Sequence, residues 1–331
     1  MKPIRKVSLF YLANPRFGGW VTYTTHLFRS FKEIGYQVAL YKITKRTEKS
    51  QRHYADGIYY QNIDIDLANY LCTRCPAIIT ATDKAHANET ETLLKNNAQI
   101  IIHDPTEMRE GLVTILKENG CKPITIREVN VANLKQLSLD STYIRHPYIR
   151  FNKTTPDKTN LAVSTSRIDF DKHTEMIVEA NQTLTERVKI YGAENRLYTF
   201  HKLAKKYPQW RKDYCGRFSN DFGSVFRILN PSKFMLDMSA IKRDGGGSQY
   251  TFLEGWDASC VLILNKKWDL GSASDMKGNV NCLYADNPKE LCDILQSEYC
   301  YKDMIGKGLE DLKMYEGGEV AKEYMQVMGE E

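Results

Sequence analysis

Apolar residues along this chain come in short unbroken runs separated by stretches of helical period, and this rhythm predicts most of its elements. Residues 4–13 (IRKVSLFYLA) read as a buried strand and NPRFGG as a loop. Thr22 to Gly35 then reads as a helix whose Leu27, Phe28, Phe31 and Ile34 share one face. Gly35 stops that helix and YQVALYKI is the next strand. Strand, glycine loop, helix and strand in that order open a parallel α/β sheet. The alternation continues with a helix over 65–72, strand AIITAT, a helix over 89–95, strand QIIIHD, a helix over 107–119, strand PITIRE and a short helix over 129–137. Continuous rather than alternating apolar runs imply strands covered on both faces.

The stretch YIRHPYIRFNKTTPDKTN breaks this pattern with two prolines and many polar residues, and reads as a linker. A second series follows: strand NLAVSTSRI, helix KHTEMIVEANQTL, strand RVKIYG, helix RLYTFHKLAKKY, strand KFMLDMS, helix YTFLEGWDAS and strand VLILN. DNPKELCDILQS then opens a helix with Asp286 or Asn287 as its cap and proline at its start. The expected organisation is a Rossmann-like α/β domain over 1–150, a second over 151–310 and a terminal helix over 311–331. No internal repeat or low-complexity tract is present.

A length of 331 residues suits two cores rather than one. No apolar run approaches the ~20 residues that span a bilayer, so membrane insertion is not expected. The first residues place cations before an apolar run, but Val7 to Ala13 is short and no small-residue cleavage site follows, so the segment reads as a strand and not a signal peptide. Eight scattered cysteines in a chain that needs no staples suit reduced thiols and a cytoplasmic location, the host cytoplasm if the chain is viral. Cys72 and Cys75 form a CxxC with no second pair to complete a zinc site. Net charge is +5, and residues 1–50 carry ten Lys and Arg against two Glu, a basic end that could attract a polyanion or diphosphate; the alternative is a solvated face.

Four places could carry chemistry. Gly18 and Gly19 lie between the first strand and helix, where backbone N–H groups and the helix dipole favour an anion; the alternative is a turn that needs flexible glycines. Arg167 and Lys172 occupy the corresponding place in the second series and could neutralise a diphosphate leaving group; the alternative is a solvated loop paired with Asp169 and Asp171. Glu254 follows the glycine run Gly245, Gly246 and Gly247 and is expected in the first turn of a helix, able to accept hydrogen bonds from ribose hydroxyls or to complement the dipole. His103 and Asp104 close strand QIIIHD, where an imidazole and a carboxylate could bind or deprotonate an acceptor hydroxyl. The triplets Asp64-Ile65-Asp66 and Asp169-Phe170-Asp171 do not close strands as metal-binding DxD signatures do, so no essential metal is expected.

In their order along the chain, RFGGWVTYTTHLFRSFKEIGYQVALY, SRIDFDKHTEMIVEA, YTFLEGWDASCVLIL and YADNPKELCDIL resemble nucleotide-sugar glycosyltransferases of the GT-B fold, in particular the retaining family 4 type. That resemblance implies two tandem Rossmann-like domains facing a cleft, with a C-terminal helix crossing back to the first. It also implies that Gly18 and Gly19 approach the donor phosphates, that Arg167 and Lys172 grip the diphosphate and that Glu254 holds the ribose. Gly246 stands where the family commonly has the first acid of an E-x7-E pair, so backbone N–H groups of Gly246 and Gly247 would meet the sugar instead. Ser248, Tyr250 and Thr251 complete the implied donor set. HD and YTFLE also resemble stretches of phage DNA glucosyltransferases.

The function implied is transfer of a sugar from a nucleotide diphosphate sugar, a UDP-sugar above all, to an acceptor hydroxyl with retention and without an essential cofactor. His103 and Asp104 would serve the acceptor. The phage-like stretches, together with aromatic and basic residues interleaved in YIRHPYIRF and HKLAKKYPQWRK, favour a hydroxymethylated base in DNA, a phage-type modification. A cell-surface glycan or protein acceptor is the alternative, and a sugar-nucleotide epimerase or a non-catalytic nucleotide-binding module comes after it. Oligomeric state is not legible.

Overall fold

A computed structural model describes residues 5–15, 18–45, 53–151, 157–219, 221–240, 248–269 and 274–330. The chain divides into two compact units, Met1–Ile149 with Tyr315–Glu331, and Arg150–Met314. Gly246 and Gly247 lie outside the described residues.

Unit one holds strands β1 (Lys6–Leu12), β2 (Gln37–Ile43), β3 (His53–Ala55), β4 (Ile58–Ile63), β5 (Ala77–Thr82), β6 (Gln99–Ile102), β7 (Ile124–Thr125) and β8 (Thr142–Tyr143). They form one sheet in the order β3-β4-β2-β1-β5-β6-β7-β8. Every neighbouring pair is parallel except β3 with β4. That antiparallel hairpin was not expected, although Asp56-Gly57 is its signal: both residues have positive φ, 49° and 79°, as a two-residue hairpin turn requires. Leu9, Ile79, Ile100 and Ile124 have at most 1% of their surface exposed, so the strands are buried as the unbroken apolar runs imply.

The first helix spans Gly19–Glu33, three residues earlier than the apolar pattern suggests. Its end follows the glycine rule closely. Gly35 has φ 86°, its N–H donates to the Lys32 carbonyl at 3.1 Å, and the Tyr36 N–H donates to the Phe31 carbonyl at 3.0 Å, a Schellman motif. The helix Gly317–Val327 packs against it. Gly317 permits the approach, since a Cβ there would lie 2.3 Å from Ser30 Oγ. The buried hydroxyls of Tyr23 and Tyr324 hydrogen-bond across the contact, so the last helix of the chain belongs to the first unit.

Unit two holds β9 (Asn160–Ser164), β10 (Lys189–Tyr191), β11 (Tyr214–Gly216), β12 (Ser232–Asp237), β13 (Val261–Asn265) and β14 (Leu283–Ala285), in the order β11-β10-β9-β12-β13-β14 and all parallel. Helix Tyr250–Asp257 packs on this sheet through Gly255, where a Cβ would meet Leu262 Cδ2 at 2.4 Å. Asn287 caps helix Pro288–Leu295 by accepting from the Glu290 N–H at 2.9 Å. The expected helix over 196–207 is instead a single α-turn, Arg196–Tyr198, continued by a π-helix over Thr199–Ala204.

Both sheets reverse their strand order once, between β1 and β5 in unit one and between β9 and β12 in unit two. Ligands of open parallel sheets sit outside the carboxyl ends of the strands at such a reversal. The residues at those two places are therefore the candidates for function.

Candidate functional site

In unit two the reversal is spanned by side chains. Asp237 ends β12 with none of its surface exposed. Its Oδ2 accepts from Ser166 Oγ at 2.6 Å, beyond the end of β9, and from Thr251 Oγ1 at 3.0 Å. Its Oδ1 accepts from the Ser239 N–H at 2.9 Å and from the Ser239 hydroxyl. Burial alone would raise the pKa of Asp237, but the Lys172 charge and these hydroxyls outweigh it and hold the carboxyl below its ordinary range.

Lys172 completes the arrangement. Its ammonium donates to Ser239 Oγ at 2.6 Å and to Gln249 Oε1 at 3.2 Å, with Asp171 Oδ2 at 4.0 Å. The side chain is only 10% exposed, so the strand end, the loop after β9 and the residue before helix Tyr250–Asp257 together aim one cation. The loop is pinned further by the Ala240 N–H on the Asp171 carbonyl at 2.8 Å. Gly192, after β10, supports it from behind: it has φ 148°, and a Cβ would sit 2.1 Å from the Ser166 carbonyl oxygen. Gln249, whose Oε1 accepts from Lys172, leaves its Nε2 buried with no acceptor among the described residues.

Arg167 differs. It is 54% exposed on its side chain and pairs with Asp169 at 3.2 Å and Asp171 at 3.4 Å, the partners the solvated-loop alternative names. The geometry leaves both readings of Arg167 standing. The expectation that Glu254 lies in the first helical turn is corrected: Gln249 is extended, the helix begins at Tyr250, and Glu254 is in its second turn, 8% exposed. It is therefore away from the four free N–H groups of the helix start, and complementing the dipole does not explain it. Tyr250 and Ser248 are buried beside it, and Thr251 spends its hydroxyl on Asp237.

In unit one, Gly18 precedes the first helix with φ 111°, a conformation that favours glycine. Gly19 is exposed, with open space within 4 Å of where a Cβ would stand. Across the reversal, His103 follows β6. Its Nε2 lies 2.7 Å from the Thr80 carbonyl, which can only accept, so Nε2 carries the proton and Nδ1 is left as an acceptor. Burial pushes the His103 pKa down to about 4, partly opposed by that carbonyl, and the ring is neutral near pH 7. Asp104 is a cap: its Oδ1 accepts from the Thr106 N–H at 2.8 Å and from the Thr106 hydroxyl.

Glu107 escaped the sequence reading and is central here. Its Oε2 accepts from the His103 N–H at 2.8 Å and its Oε1 from Trp20 Nε1 at 2.6 Å, tying the first helix to the strand end. Burial and the nearby Asp104 raise its pKa to about 8 against those two bonds and Arg127. The spacing Asp104-Pro-Thr-Glu107 is a capping-box pattern that could have pointed to it. A cavity of 380 Å³ adjoins Glu107, lined also by Thr82, Asp83, Arg109, Leu112 and Ile115.

Asp64 caps helix Ile65–Cys72 by accepting from the Leu67 N–H at 2.9 Å. Cys72 and Cys75 are not bonded to one another, and burial pushes the Cys72 thiol up to about 12. Among the described residues no three His, Cys, Asp or Glu side chains are grouped to hold a metal, and no helix is long and apolar enough to cross a membrane.

No protein-family model matches the chain, and no curated protein does. Solved structures do. An alpha-glucosyltransferase in complex with UDP and a 13-mer DNA containing a central A:G mismatch superposes with a TM-score of 0.72 at 14% identity, over 98% of this chain and 100% of that one. An alpha-glucosyltransferase bound to UDP-glucose and DNA containing an abasic site gives 0.71 at 14% identity, over 99% and 100%. Anabaena HepE, in complex with UDP and glucose, gives 0.70 at 10% identity, over 98% and 99%. At such identities the likeness concerns the fold: this chain has the GT-B fold of these glycosyltransferases.

Proposed function

We propose that this chain is a retaining glycosyltransferase that moves the sugar of a UDP-sugar to the hydroxyl of a hydroxymethylated base in DNA. The observation that carries the proposal is Lys172, a mostly buried cation held by Ser239, Gln249 and the Asp237 charge at the strand reversal of unit two. That cation stands where open parallel sheets take their ligands, and a diphosphate is a ligand whose charge it would complement. The DNA and UDP in the alpha-glucosyltransferase complexes support the choice of partners.

In this reading the bond between the anomeric carbon and the diphosphate breaks, the electron pair leaves with UDP, and a new bond forms to the acceptor oxygen. Lys172 and Arg167 offset the charge that develops on the leaving diphosphate. Glu254 accepts from the ribose hydroxyls, while Ser248, Tyr250 and the glycine run Gly246-Gly247 border the sugar. Gly18 and Gly19 let backbone approach the phosphates. His103, neutral and with Nδ1 open as an acceptor, binds the acceptor hydroxyl, and Asp104 holds the turn behind it. The hydroxyl proton passes to the departing phosphate, since a base with a pKa of about 4 retains little of it.

The test is a mass-spectrometric screen of UDP-sugars against DNA carrying hydroxymethylated bases, with unmodified DNA beside it. A mass gain on modified DNA only, lost in Lys172→Ala and Glu254→Ala, is expected. Full activity in both variants refutes the site. A glycan or protein acceptor is the second reading, and it predicts no gain on any DNA.

A further inference from the structure

We infer that the segment Arg196–Arg217 of unit two is a binding surface for the phosphate backbone of duplex DNA; this rests on the DNA-acceptor reading. It carries Arg196, Lys202, Lys205, Lys206, Arg211, Lys212 and Arg217, all exposed, and a single acid, Asp213, which is buried and paired with Arg187 at 3.1 Å. Among the described residues the acids that pair with its cations are Glu179, with Lys206 at 3.1 Å, and Glu194, with Arg211 at 2.8 Å, while Glu175 meets the segment at the Tyr198 hydroxyl. Among the described residues no carboxylate lies within ion-pair distance of Arg196, Lys202, Lys205, Lys212 or Arg217. An excess of unpaired cations on one short segment costs self-repulsion, which a polyanion relieves.

The cations are also pre-positioned. The π-helix Thr199–Ala204 places Lys205 one wide turn beyond Phe200, with its ammonium 4.9 Å from the ring centre. Lys206 lies 4.9 Å over the Tyr207 ring, and the Arg211 guanidinium lies 4.7 Å over Trp210. Resting a stem on a ring removes side-chain freedom before binding and leaves the charge outward. Phe200 and Leu197 remain 54% and 66% exposed among these cations, the aromatic and basic mixture that suits a nucleic-acid backbone and its sugars.

The surface is joined to the Arg167 loop. Asn195, which caps Arg196–Tyr198, donates from Nδ2 to Asp169 Oδ1 at 2.8 Å, and its backbone N–H donates to the Ile168 carbonyl at 2.9 Å. Duplex bound along this segment would therefore start at the rim of the donor residues, without using any of them.

The experiment compares the full chain with the variant Arg196→Ala/Lys202→Ala/Lys205→Ala. It measures affinity for a hydroxymethylated duplex across a salt series, and transfer to that duplex and to a hydroxymethylated trinucleotide. Each phosphate contact contributes ~0.9 to the slope of log affinity against log salt, so the variant's slope falls by up to about 3. Its transfer to the trinucleotide, which has too few phosphates to lie along the surface, falls far less than its transfer to the duplex. A slope within about 0.5 of the parent's, with the parent modifying duplex normally, overturns this surface and leaves the DNA reading intact. A parent that modifies neither acceptor overturns both. Binding of anionic vesicles that depends on these three residues, with the duplex slope unaltered, assigns the face to lipid and also overturns the inference.

Discussion

Replacing Asp237 by Asn tests how the lysine of unit two is held. The carboxylate is fully buried and faces a cation whose side chain is 10% exposed. Asp237→Asn keeps the size, removes the charge and sets an amide N–H₂ against the hydroxyls of Ser166 and Thr251, both of which now donate. Both must turn, because both donate to Oδ2. Removing one partner of a buried pair costs roughly 3–5 kcal/mol when the other charge is left without compensation; here Ser239 bridges the two groups and Asp171 Oδ2 stays 4.0 Å from Lys172. Partial retention of the bonds to Ser239 places the loss near the lower end, about 3 kcal/mol. For a unit of this size that is roughly 6–12 °C in Tm. Hydrogen exchange read by mass spectrometry localises the effect: peptides of β9 and β12 should lose protection while those of unit one keep it. Adding Lys172→Met should restore part of the loss, giving a coupling of more than about 1 kcal/mol in the double-mutant cycle. A Tm change under 2 °C together with a coupling near zero would refute the argument that Asp237 is there for Lys172.

Other outcomes follow from the same geometry. Gly192→Ala forces a Cβ to within 2.1 Å of the Ser166 carbonyl oxygen at φ 148°, so it should destabilise unit two by about 2 kcal/mol or more and weaken UDP binding, read by melting and calorimetry. Gly19→Ala meets open space in a helical position and should fold at least as well as the parent; a fall in donor affinity would then report lost ligand approach, and unchanged affinity removes Gly19 from the donor set. Unit one should open first in mild acid. His26 and His103 are pushed down by burial to about 3 and 4, and buried His146 is also lowered, so between pH 4 and 6.5 the unfolded chain binds more protons than the folded one. Stability therefore rises with pH through that window, by about 1.4 kcal/mol per pH unit for each ring at most. Glu107, raised to about 8, acts in the opposite sense between 4.5 and 8, one group against three. Equal exchange protection of the two units at pH 7 and pH 5 would contradict this. Protonating His26, which burial and the Arg29 charge oppose, would also cost a bond, since its Nδ1 accepts from the Ile149 N–H at 2.9 Å and cannot do so once protonated.

What the sequence determined by itself was whatever depends on near neighbours. Unbroken apolar runs identify β1, β5, β6 and β13 because burial on both faces demands them, and Gly35 and Asn287 end and start helices through bonds that reach only three to five residues. The positions of Gly18, Arg167, Lys172 and His103 beyond strand ends were legible for the same reason. Only the tertiary structure decided which of them meet. Asp237 and Ser166 are 71 residues apart and Lys172 and Gln249 are 77 apart, so no local pattern could announce their contacts. Glu107 became part of the His103 environment through Trp20, 87 residues away in sequence. The π-helix at Thr199–Ala204 and the second-turn position of Glu254 likewise depend on how each segment packs on its sheet. The strand order brings these segments together, and at the reversal between β9 and β12 it sets buried Asp237 and Lys172 on the same Ser239 hydroxyl.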